Sequence, residues 1–428
     1  MPLHNIAHTV WHSILGFIFY YPLFMSFLWM MGAIVFYFKN EKPYLKYDIP
    51  PESADPSKLP PVSILIPCYN EGVNARETIA HALKLNYPEF EVIAINDGSK
   101  DNTLEVLLDL AKDEPRLKVV NLAENQGKAM GLQAGSLLAK HEILIGIDGD
   151  ALIDEHCAHW MVRHFVKYPE VAAVTGNPRI RNRSTLLGRI QVGEFSSIVG
   201  MIKRAQRTLG RLFTVSGVIT TFRKSAVHEV GYWSPDMLTE DIDITWKLQR
   251  NGWDVRFEPR ALVWILMPET LKGLWNQRLR WAMGGIQVMF KNFGVLFNLK
   301  QTYLWPLMTE LILSTFWAYA MLLSFALWLL TTLFDTPLDL LFGDSPILPD
   351  QTSVILISTC LLQFAISKWL DSRYDKGLGK NYFWMIWYPI AFWLISLTTT
   401  CWALPKVLLR AKGRARWISP DRGVHQHM

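Results

Sequence analysis

The sequence has little cysteine and little net charge for its length. Its four cysteines, Cys68, Cys157, Cys360 and Cys401, are far apart in 428 residues and show no Cys-x-x-Cys or Cys/His ligand spacing. This argues against a disulfide framework and against a zinc site, and it is consistent with a reducing compartment for the soluble part. A formal net charge of +5 is too small for this length to indicate a nucleic-acid ligand, so we expect none.

Charged residues are also absent from residues 14–37, an apolar run near the N-terminus. As a helix this run measures about 36 Å, enough to cross the roughly 30 Å of a bilayer hydrocarbon core. It is too long for the apolar part of a signal peptide and has neither a basic leader nor a small-residue cleavage site. We therefore predict a transmembrane segment over residues 1–38, and Lys39, Lys42 and Lys46 place its C-terminal side in the cytoplasm.

Three further apolar segments lie near residues 304–334, 352–370 and 382–404. Four spans around a cytoplasmic middle domain would place the C-terminus outside. The basic tail of residues 406–428 indicates the opposite, since lysine and arginine beside an apolar segment are typical of an anchor to anionic lipid, although a solvated tail is the alternative. One segment could instead be interfacial or re-entrant, and the segment broken by Pro389 is the candidate.

The middle of the chain has an ordinary soluble composition and follows a proline-rich linker at residues 39–61. Apolar runs of strand type alternate there with helical patterns. This order predicts an α/β domain over residues 62–268, with a mostly parallel sheet covered by helices on both faces. Residues 269–298 alternate basic and aromatic side chains and predict interfacial helices before a transmembrane region at 299–405. The strand runs are 62–66, 91–95, 117–121 and 143–147, and the helical patterns lie near 74–85, 102–113 and 128–140.

Polar and acidic residues follow three of the predicted strands at the point where each strand ends. Because the carboxyl ends of parallel strands meet at one edge of a sheet, we expect these residues to lie close together. Two aspartates at i and i+2 point to the same side of an extended segment and could hold a hard divalent cation, whereas an isolated Asp-x-Asp is usually only a turn. The residues are Tyr69 and Glu71 after strand 62–66, Asp97 after strand 91–95, and Asp148 and Asp150 after strand 143–147.

Two helix starts carry further candidates. Lys128 follows a strand and opens a helix, where it could meet a phosphate or could be a solvated lysine beside a helix cap. Thr239, Glu240 and Asp241 open an amphipathic helix, and capping with dipole complementarity explains them locally. The functional alternative is that one carboxylate takes a proton from an attacking hydroxyl as a general base.

A third candidate motif lies in the interfacial stretch, as Gln277-Arg278-Leu279-Arg280-Trp281. Gln277 and Trp281 could contact a sugar by hydrogen bonding and stacking, and Arg280 could bind a diphosphate with its guanidinium group. The alternative is an interfacial helix whose basic side chains snorkel toward water.

These residues, in this order, resemble the processive inverting glycosyltransferases of family 2, the group of cellulose, chitin and hyaluronan synthases. The signature is an acidic turn after an early strand, then Asp-x-Asp, Thr-Glu-Asp and Gln-x-x-Arg-Trp, and the resemblance spans about residues 60–290. It implies a GT-A-like fold and a single in-line displacement that converts an α-linked donor into a β-linked product.

The resemblance also implies a role for each matching residue. Asp241 would be the general base, and Asp150 the principal metal ligand, with Asp148 near the metal or the nucleotide. Nucleotide-sugar binding is implied for Tyr69, Glu71, Asp97, Lys128, Asp148 and Arg280, and acceptor binding for Gln277, Trp281 and, in a loop, Asn177 and Arg179.

Four stretches resemble one branch of this family more narrowly, the branch that makes β-1,6-linked poly-N-acetylglucosamine for bacterial biofilms. They are residues 175–198, 239–249, 259–285 and 415–423. This resemblance implies UDP-N-acetylglucosamine as donor, Mg²⁺ or Mn²⁺ as the metal, and a growing polysaccharide as acceptor. It also implies a small two-helix membrane subunit, stimulation by cyclic di-GMP, and an inner-membrane location with the catalytic domain in the cytoplasm.

Three alternatives stay open at this point. The chain could be another family 2 polymerase that makes hyaluronan, chitin or cellulose, or a transferase that adds one sugar to a lipid. It could also be a transporter or membrane scaffold without catalysis. Ionisable residues within a membrane usually mark a transport pathway, but the clear candidate here is Glu310 alone. A role in exporting the polymer is a further expectation, because a polymer made in the cytoplasm must cross the bilayer.

Overall fold

The computed structural model describes residues 2–334, 351–381, 388–410 and 413–415. Most of the stretch 415–423 and of the predicted basic tail lies outside the described residues. The described chain forms an N-terminal helix, a mixed α/β unit and a group of C-terminal helices. All three parts contact one another.

Eight strands form one sheet. They are β1 (Val62–Cys68), β2 (Phe90–Asp97), β3 (Leu117–Leu122), β4 (Ile143–Ile147), β5 (Leu152–Ile153), β6 (Val171–Ile180), β7 (Ile219–Arg223) and β8 (Asp254–Ile265). Their order across the sheet is β3-β2-β1-β4-β7-β6-β8-β5. The four predicted strands are all present, each within a few residues of its expected bounds.

The sheet is parallel in its first half and mixed in its second. β1 pairs in parallel with β2 and β4, with Val62 opposite both Phe90 and Ile143. β7 then pairs antiparallel with β4 and with β6, and β5 pairs antiparallel with β8. The expectation of a mostly parallel sheet therefore describes the half built from β1 to β4, where every residue of the central strands is buried and apolar runs are required.

Helices cover both faces of the sheet, as expected for this class of fold. Alternate residues of β1 point to opposite faces, so Ile64 packs with Ile79 of one helix and Leu65 with Leu132 of another. The helices of the α/β unit are α2 (Ala75–Leu83), α3 (Thr103–Asp113), α4 (Lys128–Leu138), α5 (Cys157–Lys167), α6 (Leu186–Phe195), α7 (Ile202–Thr208), α8 (Lys224–Glu229) and α9 (Glu240–Arg250).

Three helical stretches are long and apolar enough to cross a membrane, at His8–Tyr44, Leu299–Phe334 and Gln351–Asp371. The helices concerned are α1 (Pro2–Phe36), α11 (Trp305–Phe334) and α12 (Gln351–Asp371). Between α1 and α11 in the chain, α10 (Leu271–Asn292) occupies the predicted interfacial stretch. The predicted fourth span corresponds to α13 (Tyr388–Leu408), of which the apolar part described is the shorter Leu394–Leu408.

Both flanks of α13 contact the α/β unit. Before it, Asp375 forms an ion pair with Arg183, with 2.5 Å between the carboxylate and guanidinium atoms. After it, the amide of Ala415 donates a hydrogen bond to the carbonyl oxygen of Pro235 at 2.8 Å. Asp375 and Ala415, on either side of α13 in the sequence, thus both lie at the sheet domain.

Candidate functional site

The loops that follow β1 and β2 hold each other in place. The amide of Asn70 donates to Ser99 Oγ at 3.0 Å, and the amide of Lys100 donates to Asn70 Oδ1 at 2.9 Å. Glu71 is buried, and its Oε2 accepts from Asn74 Nδ2 at 3.1 Å, while Tyr69 beside it is half-buried. The structure therefore brings Tyr69 and Glu71 to the same sheet edge as Asp97, as the parallel strand order predicted.

Asp97, at the end of β2, is fully buried and orders the loop before α4. Its two carboxylate oxygens accept hydrogen bonds from the amides of Gln126 at 2.7 Å and Gly127 at 2.9 Å. Gly98 is required beside it, because its φ is +61° and a Cβ there would lie 2.4 Å from the carbonyl carbon of Glu124. Burial raises the pKa of Asp97, and the two amides oppose that rise. The amides of Gln126 and Gly127, just before α4, therefore bind the carboxylate of Asp97.

The Asp148-Gly149-Asp150 segment is a tight turn, not the extended segment expected from its spacing. The amide of Ala151 donates to the carbonyl oxygen of Asp148 at 3.1 Å, which closes the turn. Gly149 lies against the first loop, and a Cβ there would approach Glu71 Cγ to 3.0 Å. The glycine is thus explained by packing between two loops, and it places the turn beside the loop that contains Glu71.

Lys128 is the centre of the site. Its Nζ lies 2.5 Å from Asp148 Oδ1 and 3.3 Å from Glu240 Oε1, and it donates to the carbonyl oxygen of Gly217 at 2.9 Å. Burial would lower the pKa of Lys128, but Asp148 and Glu240 together raise it. One ammonium group therefore joins the end of β4, the start of α9 and the segment before β7.

Asp241 is held from two directions at the start of α9. Its Oδ2 accepts from the amide of Gly217 at 3.0 Å, and its Oδ1 accepts from the amide of Ile242 at 2.9 Å. Burial and the neighbouring Glu240 raise the pKa of Asp241, whereas Lys128 and Arg280 lower it, with a net rise. A fixed carboxylate with a raised pKa can accept a proton more readily than a solvated one.

The hydroxyl cap predicted at this helix start is not formed, although Glu240 and Asp241 do lie in the first turn. Thr239 occupies the cap position of α9, but its hydroxyl makes no capping hydrogen bond and packs against Gly284 of α10. Glu240 forms an ion pair with Lys128 instead of remaining a solvated first-turn carboxylate. These tertiary contacts connect the start of α9 to Lys128 and to α10.

The Gln-x-x-Arg-Trp residues lie on α10, and the contacts of Arg280 place it beside the same site. Arg280 is exposed, donates to the carbonyl oxygen of Leu238 at 3.3 Å, and is one of the cations that lower the pKa of Asp241. The guanidinium carbon of Arg278 lies 4.3 Å from the ring centre of Trp281. Arg278 also forms an ion pair with Glu194 at 2.7 Å. Gln277 presents a buried Oε1 with no hydrogen-bond partner in the described chain.

Asn177 and Arg179 do not lie in a loop. Both are buried in β6, where Asn177 Nδ2 donates to the carbonyl oxygen of Pro259 at 2.9 Å. Arg179 forms an ion pair with Asp371 at 2.7 Å and donates to Ser196 Oγ at 3.2 Å. The expected acceptor-binding loop is therefore corrected to a strand, and these contacts give both residues a structural role.

The residues at this edge could hold a divalent cation only if the substrate supplied the remaining ligands. Among the residues that the structure describes, no group of three or more His, Cys, Asp or Glu side chains could hold a metal ion. Asp148 and Asp150 supply carboxylates from a single turn, at the sheet edge beside Lys128. Magnesium is commonly bound by one or two carboxylates together with substrate phosphates, which is the donor set available here.

Sequence reasoning did not single out the segment of residues 212–217. Its Gly217 contacts both Lys128 and Asp241, and a Cβ at Gly217 would lie 3.1 Å from Lys128 Nζ. A Ser-Gly pair just before an apolar strand was the available signal, but it is common in ordinary turns. Arg414, in the basic tail for which a lipid anchor or a solvated tail is predicted, contacts Gln126 at the same edge.

Comparison with known proteins adds a family and close relatives. Residues 60–284 match the family described as "Glycosyltransferase like family 2". The chain is 40% identical over 411 residues to the poly-β-1,6-N-acetyl-D-glucosamine synthase of Staphylococcus epidermidis, covering 96% of this chain and 98% of the relative. It is likewise 40% identical over 412 residues to the synthase of that name from Staphylococcus aureus, covering 96% and 99%.

A solved structure shows the same fold. The mannosyltransferase of Pyrobaculum calidifontis, in complex with GDP-Man and Mn²⁺, superposes with a TM-score of 0.63 at 19% identity. The match covers 94% of this chain and 99% of that one, so it includes the membrane-type helices as well as the sheet. The likeness confirms the expected GT-A-like fold.

Proposed function

Because this chain belongs to glycosyltransferase-like family 2 and is a glycosyltransferase, we propose that it transfers N-acetylglucosamine from UDP-N-acetylglucosamine to a growing β-1,6-linked polysaccharide. The choice of sugar and linkage is supported by 40% identity to two synthases of that polymer over nearly the whole chain. The chemistry is supported by the convergence of Asp148, Lys128 and Asp241 at one edge of the sheet.

Asp241 is the proposed general base. As the acceptor hydroxyl attacks the anomeric carbon, its proton passes to the Asp241 carboxylate while the bond from that carbon to UDP breaks. Attack on the face opposite UDP converts an α-linked donor into a β-linked product in one step. The amides of Gly217 and Ile242 fix both oxygens of this carboxylate, so it is already positioned before substrate arrives.

The cationic side chains face the leaving diphosphate in this proposal. Lys128 and Arg280 both lower the pKa of Asp241, and both can bind phosphate oxygens. Asp148 and Asp150 would hold Mg²⁺ or Mn²⁺ together with the diphosphate, and such a cation neutralises the charge that develops on UDP. Tyr69, Glu71 and Asp97 would line the uridine side, and Gln277 and Trp281 the acceptor side.

We propose three membrane crossings with the catalytic unit in the cytoplasm of the bacterial inner membrane. The crossings are α1, α11 and α12, and α13 would not add a crossing. The support for this is that Asp375 before α13 and Ala415 after it both contact the α/β unit. This arrangement removes the conflict between four spans and a basic cytoplasmic tail. A two-helix membrane subunit, stimulation by cyclic di-GMP and a role in polymer export stay predictions of the family resemblance.

The test is product formation by the purified protein in liposomes. With radiolabelled UDP-N-acetylglucosamine and Mg²⁺ or Mn²⁺, we expect a ladder of β-1,6-linked products, which depends on the metal and disappears in the Asp241→Asn variant. A single labelled glycolipid, or polymer formed only from a different nucleotide sugar, would contradict the proposal. Digestion by an enzyme specific for the β-1,6 linkage separates this product from chitin or hyaluronan.

A further inference from the structure

A cluster of four buried charges lies where the membrane helices meet the α/β unit. Arg204 of α7 contacts Glu41, just after α1, through Nε at 2.6 Å and Nη2 at 3.1 Å. Its Nη1 donates at 2.8 Å to Asp371, the last residue of α12, and Asp371 also pairs with Arg179 at 2.7 Å. Arg179, Arg204, Glu41 and Asp371, which we term the junction cluster, are each at most 2% exposed.

The junction cluster fixes α7 against the ends of two membrane helices. Its two cations and two carboxylates balance, and removing one partner would leave a buried charge uncompensated. Burial would lower the pKa of Arg204, but Glu41 and Asp371 raise it, so the guanidinium stays charged. Gly200 lies so close that a Cβ there would approach Asp371 Oδ2 to 2.6 Å, which leaves no room for the helix end to shift.

Helix α7 also lies directly on α1. A Cβ at Gly32 would be 2.9 Å from Ala205 Cα, so the two helices touch at their backbones. Close by, Thr208 Oγ1 donates to the carbonyl oxygen of Gly32 at 2.9 Å. The same short helix is therefore held to the first membrane segment by packing, by a hydrogen bond and by the Arg204 ion pair.

On its other side, α7 leads into the segment that holds Asp241. Gln206 of α7 accepts the amide hydrogen of Phe213 at 3.0 Å. Farther along, the amide of Gly217 donates to Asp241 Oδ2 at 3.0 Å. Lys203, 6% exposed, donates to Thr175 Oγ1 at 3.4 Å, and that hydroxyl accepts from the amide of Ser216 at 2.7 Å.

We propose that Arg204 is a positioning residue for sugar transfer. Its ion pairs to Glu41 and Asp371 hold α7, and α7 in turn holds residues 212–217 and the carboxylate of Asp241. The membrane helices thereby set the place of the general base relative to the bilayer that the polymer must enter. This inference depends on the proposed function, because it takes Asp241 as the base.

The test compares a charge-balanced double variant with a matched control on the same helix. Arg204→Met together with Glu41→Gln removes one charge of each sign and leaves the Arg179–Asp371 pair intact. The control is Arg207→Met, because Arg207 of α7 pairs with Asp254 at 2.6 Å on the sheet and not with a membrane segment. Asp254 keeps Arg256 at 2.7 Å after that change, so its charge also stays compensated.

We expect the double variant to fold, bind UDP within about twofold of wild type, and lose between about tenfold and a hundredfold in kcat, as small misplacements of reacting groups do. Arg207→Met should keep kcat within about twofold. Arg204→Lys, which keeps the charge but not the two-sided contact, should fall between them. Thermal unfolding in detergent confirms that each variant is folded, and UDP titration is measured separately from turnover.

Equal kcat for the folded double variant and for Arg207→Met would overturn the inference. A loss of UDP affinity as large as the loss in kcat would also overturn the inference, because general damage to the site has that effect. Asp241→Asn is measured in parallel. Normal turnover by that variant would refute the assignment of Asp241 as the base, on which this inference depends, whereas loss of turnover there with a normal double variant would refute only the role of Arg204.

Discussion

The active-site edge and the junction cluster use charge in opposite ways. At the edge, Lys128 is partly exposed and is shared between Asp148 and Glu240, with Asp241 beside them, so carboxylates outnumber the cation. In the junction cluster, two arginines and two carboxylates balance and are sealed from water. A site that binds a metal ion and phosphates needs charged groups that are accessible and not fully paired. A buried structural contact between helices needs no unpaired charge.

The largest expected effect at the active-site edge comes from Asp241→Asn. The amide cannot take the proton of the acceptor hydroxyl, so we expect kcat to fall by about 10² to 10⁴-fold. UDP binding should be nearly unchanged, because Asp241 contacts Gly217 and Ile242 and not the proposed nucleotide side. Single-turnover transfer and UDP titration measure the two quantities separately, and near-normal transfer would contradict the assignment of the base.

The next largest effect is expected from Asp150→Ala. Removing one of the two turn carboxylates should weaken metal-dependent UDP binding by at least about tenfold, in addition to lowering turnover. Titration of UDP with and without Mg²⁺ or Mn²⁺ checks this. If the metal still strengthened UDP binding as in wild type, Asp150 would not be a metal ligand.

A smaller and pH-dependent effect is expected from Lys128→Met. Lys128 lowers the pKa of Asp241, so its loss should raise that pKa further. The base must be ionised, so turnover already falls as the pH drops through the raised pKa of Asp241, and in the variant this fall should move to higher pH. The measurement is the pH profile of kcat with a saturating donor. If the acidic side of that profile did not shift, the proposed effect of Lys128 on the pKa of Asp241 would be contradicted.

The smallest effect on that pH profile is expected from Asp371→Asn in the junction cluster. Asp371 is the carboxylate shared by Arg179 and Arg204, so its loss should lower the free energy of unfolding by about 3 kcal/mol. The pH midpoint of turnover should stay unchanged, since Asp371 is not among the charges that shift the pKa of Asp241, which include Glu240, Lys128 and Arg280. A lower thermal midpoint with an unmoved pH profile would sharpen the contrast between the two regions.

Much of the fold followed from local pattern. The apolar runs ending at Asp97 and Asp148 predicted strands whose carboxyl ends meet, and the structure places both at one edge, because parallel pairing of β1 with β2 and β4 requires it. The antiparallel insertion of β7 between β4 and β6 was not predicted. Strand partners far apart in sequence leave no periodic signal in either strand.

The sequence by itself determined the element order, the apolar helices and the motif residues, because periodicity and charge act over a few neighbouring positions. Only the tertiary structure decided that Lys128 joins Asp148 to Glu240, and that Arg179 belongs to the junction cluster instead of an acceptor loop. Those outcomes depend on which buried charges meet, and desolvation makes each pairing a property of the whole packed chain.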